Sequence, residues 1–244
     1  MADPIRLTHA TSPRVMVGGL GKFGGRVAGF VAAWLPEVQE FDLGSGISDA
    51  FSAGTGAVVL ALWRPEPALC EIADELSFRN SVPWLPVIAE HPVIRIGPFV
   101  RPKTGPCFRC YATRKAQHDQ QPWITAAIDA GYQRDQDCGP RGYLPHQARM
   151  AAALALGALD EDTASSRRQG QSLMEGEVVT VGLVTGGLQA NPVIAVHNCD
   201  RCDVPRLPSG LDRLSELATR SSGDPATPVP RYPGDDRRVT MTSA

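Results

Sequence analysis

Two Cys-x-x-Cys pairs, Cys107-Phe108-Arg109-Cys110 and Cys199-Asp200-Arg201-Cys202, constrain the shape of this chain more than any other feature. Each pair offers two thiolates from a tight turn, and four thiolates make the closed tetrahedral site that structural zinc favours. One pair alone would also suit a redox dithiol; two pairs predict a metal clamp that holds the C-terminal part of the fold to its middle. A closed tetrathiolate leaves no open position for substrate, so the clamp speaks for architecture rather than chemistry. Arg109 and Arg201 occupy the same place in the two pairs. Either they offset the net negative charge that four thiolates leave around a divalent ion, or they are solvated turn residues.

With 244 residues, 43% of them hydrophobic, the chain can bury a sizeable core, and one large domain is favoured over two small ones. Its 24 basic and 26 acidic residues are spread without large blocks, which argues against a nucleic-acid partner. Residues 1–13 contain no apolar signal-peptide core, and no stretch approaches the roughly 18 consecutive apolar residues of a membrane span. A cytoplasmic protein is expected. Four of the six cysteines stand at zinc spacing, which fits a reducing compartment better than disulfides.

Along the chain, Arg14 to Val17 reads as a buried strand, Gly18 to Gly25 as a glycine turn, and Arg26 to Leu35 as an apolar helix. Gln39 to Leu43, Ala57 to Trp63, Trp84 to Ala89 and Val93 to Ile96 read as further strands. Between them Pro67 to Phe78 predicts a helix with Leu69, Ile72, Ala73 and Leu76 on its inner face. Strands alternating with helices imply an α/β, doubly wound, Rossmann-like sheet. Tyr111 to Gln120 reads as a polar helix, the stretch to Gly142 carries no single pattern, and Pro145 to Leu159 is a clear helix with Met150, Leu154 and Ala158 at helical spacing. A polar connector, Asp160 to Gly176, precedes a predicted strand pair, Val178 to Thr185 and Val193 to Val196, leading into the second Cys pair. The organisation expected is a short lead over 1–13, one domain over 14–207, and a mobile Pro/Ser-rich tail over 208–244.

Gly19-Leu-Gly21-Lys-Phe-Gly24 has the G-x-G-x-x-G spacing that lets backbone approach a phosphate at a helix N-terminus. Asp42 stands about where an acid would meet a ribose hydroxyl, so Gly19, Gly21, Gly24 and Asp42 are the candidate nucleotide contacts. The bland alternative is a tight turn kept for packing. NAD-dependent oxidoreductases share this spacing but do not normally end in two zinc-binding pairs.

The glycine turn, Gly105-Pro-Cys-Phe-Arg-Cys110 and the late strand into Cys199-Asp-Arg-Cys202 together resemble the ubiquitin-activating-like superfamily that includes ThiF and MoeB. Trp84-Leu-Pro-Val-Ile-Ala-Glu-His-Pro-Val-Ile-Arg-Ile-Gly-Pro98, with Arg114, Gln117-His118 and Gly142-Tyr-Leu-Pro145, looks most like the ThiF-like component of thiazole/oxazole-modified microcin cyclodehydratases. The resemblance covers residues 14 to 205. It implies a structural tetracysteine zinc site, a homodimer, and a role beside a YcaO protein that uses ATP to cyclise Cys, Ser or Thr of a ribosomal precursor peptide. Only about 13 residues precede the first strand, so no N-terminal winged-helix leader-binding domain is expected, and leader capture would fall to a separate protein or another surface.

In catalytic members of the superfamily an Asp near the end of a central strand helps hold Mg-ATP. Here that segment reads Ala61-Leu-Trp-Arg-Pro65, with no carboxylate until Glu66. Arg64 suits a phosphate and not magnesium. The expectation is therefore a non-catalytic or weakly catalytic partner that keeps the nucleotide-binding fold as a scaffold. The alternative is an active adenylyltransferase of a peptide or carrier-protein carboxylate, in which Glu66 or Glu90 replaces the missing acid. Cys70 reads as a buried structural thiol among Leu69, Ile72 and Ala73. Cys138 is the candidate catalytic thiol, exposed between Asp135 and Asp137, acids that would raise a thiol's pKa rather than activate it. His118 and His146 read as helix-surface or cap residues.

Overall fold

The computed structural model describes residues 14–35, 37–163 and 176–202, with the side chains of residues 160–163 excepted. The lead over 1–13, the tail over 208–244 and most of the polar connector fall outside the described residues.

Three apolar runs become the centre of the sheet: β1 (Arg14–Leu20), β3 (Thr55–Leu62) and β4 (Trp84–Glu90). Strands buried on both faces need near-continuous apolar sequence, which is why these three were the most legible. β2 (Val38–Phe41) lies beyond β1, while β5 (Val93–Ile96), β6 (Glu177–Gly182) and β7 (Leu188–Pro192) extend the other side. The order is β2-β1-β3-β4-β5-β6-β7. β2, β1, β3 and β4 run parallel, and β4 to β7 form an antiparallel succession. The doubly wound half thus carries the glycine turn, and the antiparallel half carries the chain to the second Cys pair.

Alternate residues of each strand feed opposite layers. On one face Val17, Val59, Ala61, Leu85 and Val87 pack against α1 (Gly21–Trp34) and α6 (Pro145–Thr163). On the other, Met16, Val58, Leu60, Trp84 and Ile88 pack against α3 (Pro67–Asn80), with a short α2 (Ile47–Ala50) beside it. Fully burying one such Val, Leu or Ile contributes about 1.5–3 kcal/mol. α6 meets the sheet through Ala148, Ala151, Ala152 and Ala155, whose small side chains let it lie close, while Met150 and Leu154 are only half-buried at its flank.

Several expectations need correction. The glycine turn is shorter than predicted: β1 runs to Leu20 and α1 begins at Gly21, where φ of +68° turns the chain at a residue without a Cβ. Ala73 and Leu76 are buried and Leu69 packs at their edge as expected, but Ile72 is 47% exposed, and Cys70, Asp74 and Ser77 complete the inner face of α3 in its place. The stretch without a pattern contains α5 (Pro122–Arg134), whose residues are all outside the core, so no apolar stripe announces it; its signal was Pro122 at the helix start. The last hairpin pairs β6 with Leu188–Pro192, and Val193 to Val196 is not a strand. Val193 only donates its N–H to the Gly176 carbonyl before the chain turns toward Cys199.

Candidate metal centre and neighbouring clefts

Cys107 caps α4 (Phe108–Gln117) and Cys110 lies in its first turn, so the first pair is presented by a helix N-terminus. The second pair follows β7 in a turn closed by the Cys199 N–H on the Val196 carbonyl. The four sulfurs lie within 4.8 Å of one another, with Cys107–Cys110 at 3.7 Å, Cys107–Cys199 at 3.6 Å and Cys110–Cys202 at 3.5 Å. A tetrahedron with Zn–S bonds of about 2.3 Å has edges of about 3.8 Å. The cluster therefore has the size and donor set for one metal ion. Val196 donates its N–H to Cys110 Sγ at 3.2 Å. Burial pushes the Cys110 thiol up to about 11 and Cys107 higher still; at half-buried Cys199 burial is outweighed by the N–H groups of Cys202 and Arg201, and its thiol falls to about 7.

The paired arginines are held by carboxylates and are not free in solvent. Arg109 binds Asp200 at 3.0 Å and Glu71, and Arg201 binds Glu71 at 2.7 Å and approaches Asp74 at 3.8 Å. Both Cys turns are thereby braced on α3. Asp74 is wholly buried, and its Oδ1 accepts the Phe108 N–H at 3.0 Å and the Trp84 indole N–H at 3.4 Å. It satisfies one of the orphan amides that open α4. Desolvation holds the Asp74 carboxyl above its ordinary value despite these bonds and Arg201. Sequence reading missed Glu71 and Asp74; the available signal was Asp74 standing between the apolar Ala73 and Leu76 of the inner face of α3.

At the C-terminal ends of β1 and β3 lies a cleft of about 670 Å³ lined by Gly21, Lys22, Trp63, Arg64, Glu66 and Tyr132 among others. Gly24 sits where an added Cβ would lie 2.1 Å from the Ala61 carbonyl oxygen, and Gly19 where it would meet the Gly24 backbone at 2.7 Å. Those two glycines are required by packing. Gly21 is covered by an indole: an added Cβ there would lie 2.4 Å from Trp63 Cδ1. Asp42 does not line the cleft; its Oδ1 accepts the N–H groups of Gly44 and Ser45 and the Ser45 hydroxyl, each at 3.0 Å. Of the four candidate nucleotide contacts, Gly21 lines the cleft, Gly19 and Gly24 pack on one another beside it, and Asp42 stands outside its lining.

Arg64 is spent within the chain. It pairs with Glu66 at 2.6 Å and donates to the carbonyls of Tyr132 at 3.1 Å, Asp135 at 3.0 Å and Cys138 at 2.5 Å. Its guanidinium lies over the rings of Trp63 and Tyr132 at 5.1 and 4.7 Å. These bonds fasten α5 and the turn after it to the end of β3. The other acid on the cleft, Asp137, pairs with Arg141 at 2.9 Å. Cys138 is exposed and lines neither this cleft nor the next.

A second cleft of about 720 Å³ opens between α4 and α5. Along it Glu90 accepts from Arg95 at 2.8 Å and from Lys115 at 2.9 Å, and Arg95 lies 4.6 Å over the Tyr111 ring. Burial opposes the Glu90 charge, but Arg95 and Lys115 outweigh it and hold the carboxyl below its ordinary value. Neither Glu66 nor Glu90, the two acids proposed to stand in for a magnesium ligand, is free. Cys70 is buried on the same floor, and desolvation pushes its thiol up to about 12, as a structural thiol requires. His118 caps the end of α4, and His146 is exposed near the start of α6.

A half-parallel, half-antiparallel sheet of this order, with a glycine turn after its first parallel strand and a tetracysteine cluster joining helix and C-terminal turn, defines a mixed α/β fold that solved structures share. Solved structures sharing the fold are of heterocyclases and microcin synthetases. One is a heterocyclase in complex with substrate and cofactor, 16% identical over 78% of this chain and 25% of that one, with a TM-score of 0.54. Another is the Escherichia coli microcin synthetase McbBCD complex, 17% identical over 78% of this chain and 70% of that one, TM-score 0.53. A third is E. coli MccB with AMPCPP and MccA, 12% identical over 78% of this chain and 66% of that one, TM-score 0.52. The chain spans a quarter to a third of the two heterocyclases it matches. No family model and no curated protein matches the sequence. No helix among the described residues is long and apolar enough to cross a membrane.

Proposed function

We propose that this chain is the ThiF-like partner of a YcaO-type cyclodehydratase, working in the cytoplasm on heterocyclisation of Cys, Ser or Thr in a ribosomally made precursor peptide. The observation that carries the reading is the state of the glycine-turn cleft. Trp63 covers Gly21, and both carboxylates on the cleft are already ion-paired within the chain. A magnesium nucleotide needs carboxylate or phosphate oxygens around the ion, and the chain has committed its own elsewhere. The shared fold with heterocyclases and a microcin synthetase supports the pathway class.

In this reading the four cysteines hold one structural zinc, whose chemistry there is confined to cross-linking α4 and the C-terminal turn. The precursor peptide is engaged directly or through a separate leader-binding protein, and two copies pair. The test is reconstitution. The purified chain is expected to show no ATP-pyrophosphate exchange with peptide, and to raise the rate of ATP-dependent cyclisation by a YcaO partner. Robust exchange by the chain alone sinks the reading. It would favour the adenylyltransferase alternative, which the fold shared with MccB, solved beside AMPCPP and MccA, keeps in view.

A further inference from the structure

α5 turns one stripe toward α4: Thr125, Ile128, Asp129 and Tyr132, at helical spacing, all line the cleft of about 720 Å³ between the two helices. A stripe that faces inward normally disappears into a core. This one does not: Ile128 is 47% exposed, and none of the four is buried. Across the gap α4 presents Ala112 and Ala116, one turn apart and both exposed, whose short side chains leave the space open. Ile88, Ala89 and Phe108 make an apolar floor. α5 is held near its two ends, where Asp119 accepts the Gln121 N–H at 2.8 Å and Arg64 grips Tyr132, and it bridges the cleft in between.

The charges around this space do not balance. Its four carboxylates, Glu66, Glu90, Asp119 and Asp129, outnumber Arg95 and Lys115, and exceed them by one even when Arg64 behind Glu66 is counted. Three of the four are engaged: Glu66 by Arg64, Glu90 by Arg95 and Lys115, and Asp119 by the turn that opens α5. Asp129 has no hydrogen bond and no ion pair among the described residues. Lys115 acts on it only through space, its ammonium being held on Glu90 at 2.9 Å. Burial pushes the Asp129 carboxyl above its ordinary value, the mark of an acid that lacks a cation beside it.

We propose that this cleft takes an extended segment of the precursor peptide, with the cationic end of a lysine or arginine on Asp129 and apolar neighbours filling the space between Ile128 and the alanines of α4. The volume falls within the roughly 300–1,000 Å³ of ligand pockets. From Thr125 to Tyr132 the stripe runs about 10 Å along α5, a length that about three extended residues span. An acidic segment would add to the excess of carboxylate. A wholly apolar one would strip water from Asp129 and give it no partner in return. The inference deepens the proposed function by naming where peptide meets this chain, and rests on that reading only for the ligand being a peptide.

Fluorescence anisotropy of the full chain with three labelled, amidated probes tests it: Gly-Gly-Leu-Lys-Leu and its counterparts with glutamate or norleucine in place of lysine. The lysine probe is expected to bind about tenfold tighter than the glutamate probe, with norleucine between them. Asp129→Asn should erase that preference, while Asp137→Asn on the other cleft should leave it. Ala116→Trp, directed into the space, should weaken all three probes with the thermal unfolding transition retained. Absence of binding at millimolar probe overturns the proposal, as does a lysine preference that survives Asp129→Asn. Displacement of the lysine probe by an equal concentration of n-butylamine would make the site one for small amines and overturns it too. Stimulation of a YcaO partner is measured separately: binding without stimulation counts against the proposed function, and stimulation without binding against this site alone.

Discussion

The guanidinium of Arg64 donates to the carbonyl of Tyr132 at 3.1 Å and lies 4.7 Å over the same residue's ring, so one side chain grips α5 by both backbone and face. α5 buries none of its own residues, and this grip ties it to the end of β3. Arg64→Met would leave three carbonyls and Glu66 without their donor. Breaking so buried a pair costs about 3 kcal/mol or more. The expected outcome is a lower denaturation midpoint together with faster protease cleavage across residues 122–140.

The glycine turn makes a paired prediction. Gly24→Ala places a methyl 2.1 Å from the Ala61 carbonyl and is expected to cost several kcal/mol or prevent soluble expression. Gly131→Ala on α5 meets open space and is expected to stabilise by up to about 1 kcal/mol through helix propensity. Thermal unfolding of the two variants beside the wild type decides the point.

Removal of metal is expected to report on both Cys turns at once. Elemental analysis should find one bound ion per chain, and Cys110→Ser should lose it, while Cys70→Ser and Cys138→Ser keep it. With metal bound, a thiol reagent is expected to modify Cys138 first, since it is exposed and outside the tetrad. A strong chelator should then make the tetrad reactive and lower the melting temperature.

Glu90 makes the pH prediction. Its folded pKa is depressed, because Arg95 and Lys115 outweigh the burial that opposes its charge. Its contribution is therefore fully present above the unfolded value of about 4.3 and is lost as pH falls through the lower folded value. Glu90→Gln is expected to cost about 3 kcal/mol at pH 7, by leaving Arg95 buried and unpaired, and to flatten the acid limb of the stability curve. Denaturant titrations from pH 3 to pH 7 would read both effects.

The central strands and the cysteine cluster were legible because their signals are local: continuous apolar runs for Ala57 to Leu62, and spacing for the cysteines. The local partners of Asp42 were not legible from its distance to the glycine turn; it closes its own turn onto Gly44 and Ser45. The acceptors of Arg64, at Tyr132, Asp135 and Cys138, were not legible because they lie in a segment with no apolar periodicity to place it. Asp74 was hidden by an amphipathic reading of α3 that assigned the inner face to Ile72, one turn-position away from the true stripe. In each case the missing information was a long-range polar contact, which neither hydrophobic pattern nor motif spacing encodes.

The brace of Arg109 and Arg201 on Glu71, Asp74 and Asp200 ties the inheritance of α3 to that of the cysteines. A descendant that lost the metal would keep a buried acid and facing arginines whose alignment the cluster had enforced. Drift would then be steeply penalised at one site until the others had also changed. Related chains are expected to keep or discard this whole set together, so that substitutions at positions 71 and 74 should track the fate of positions 107, 110, 199 and 202 across a lineage.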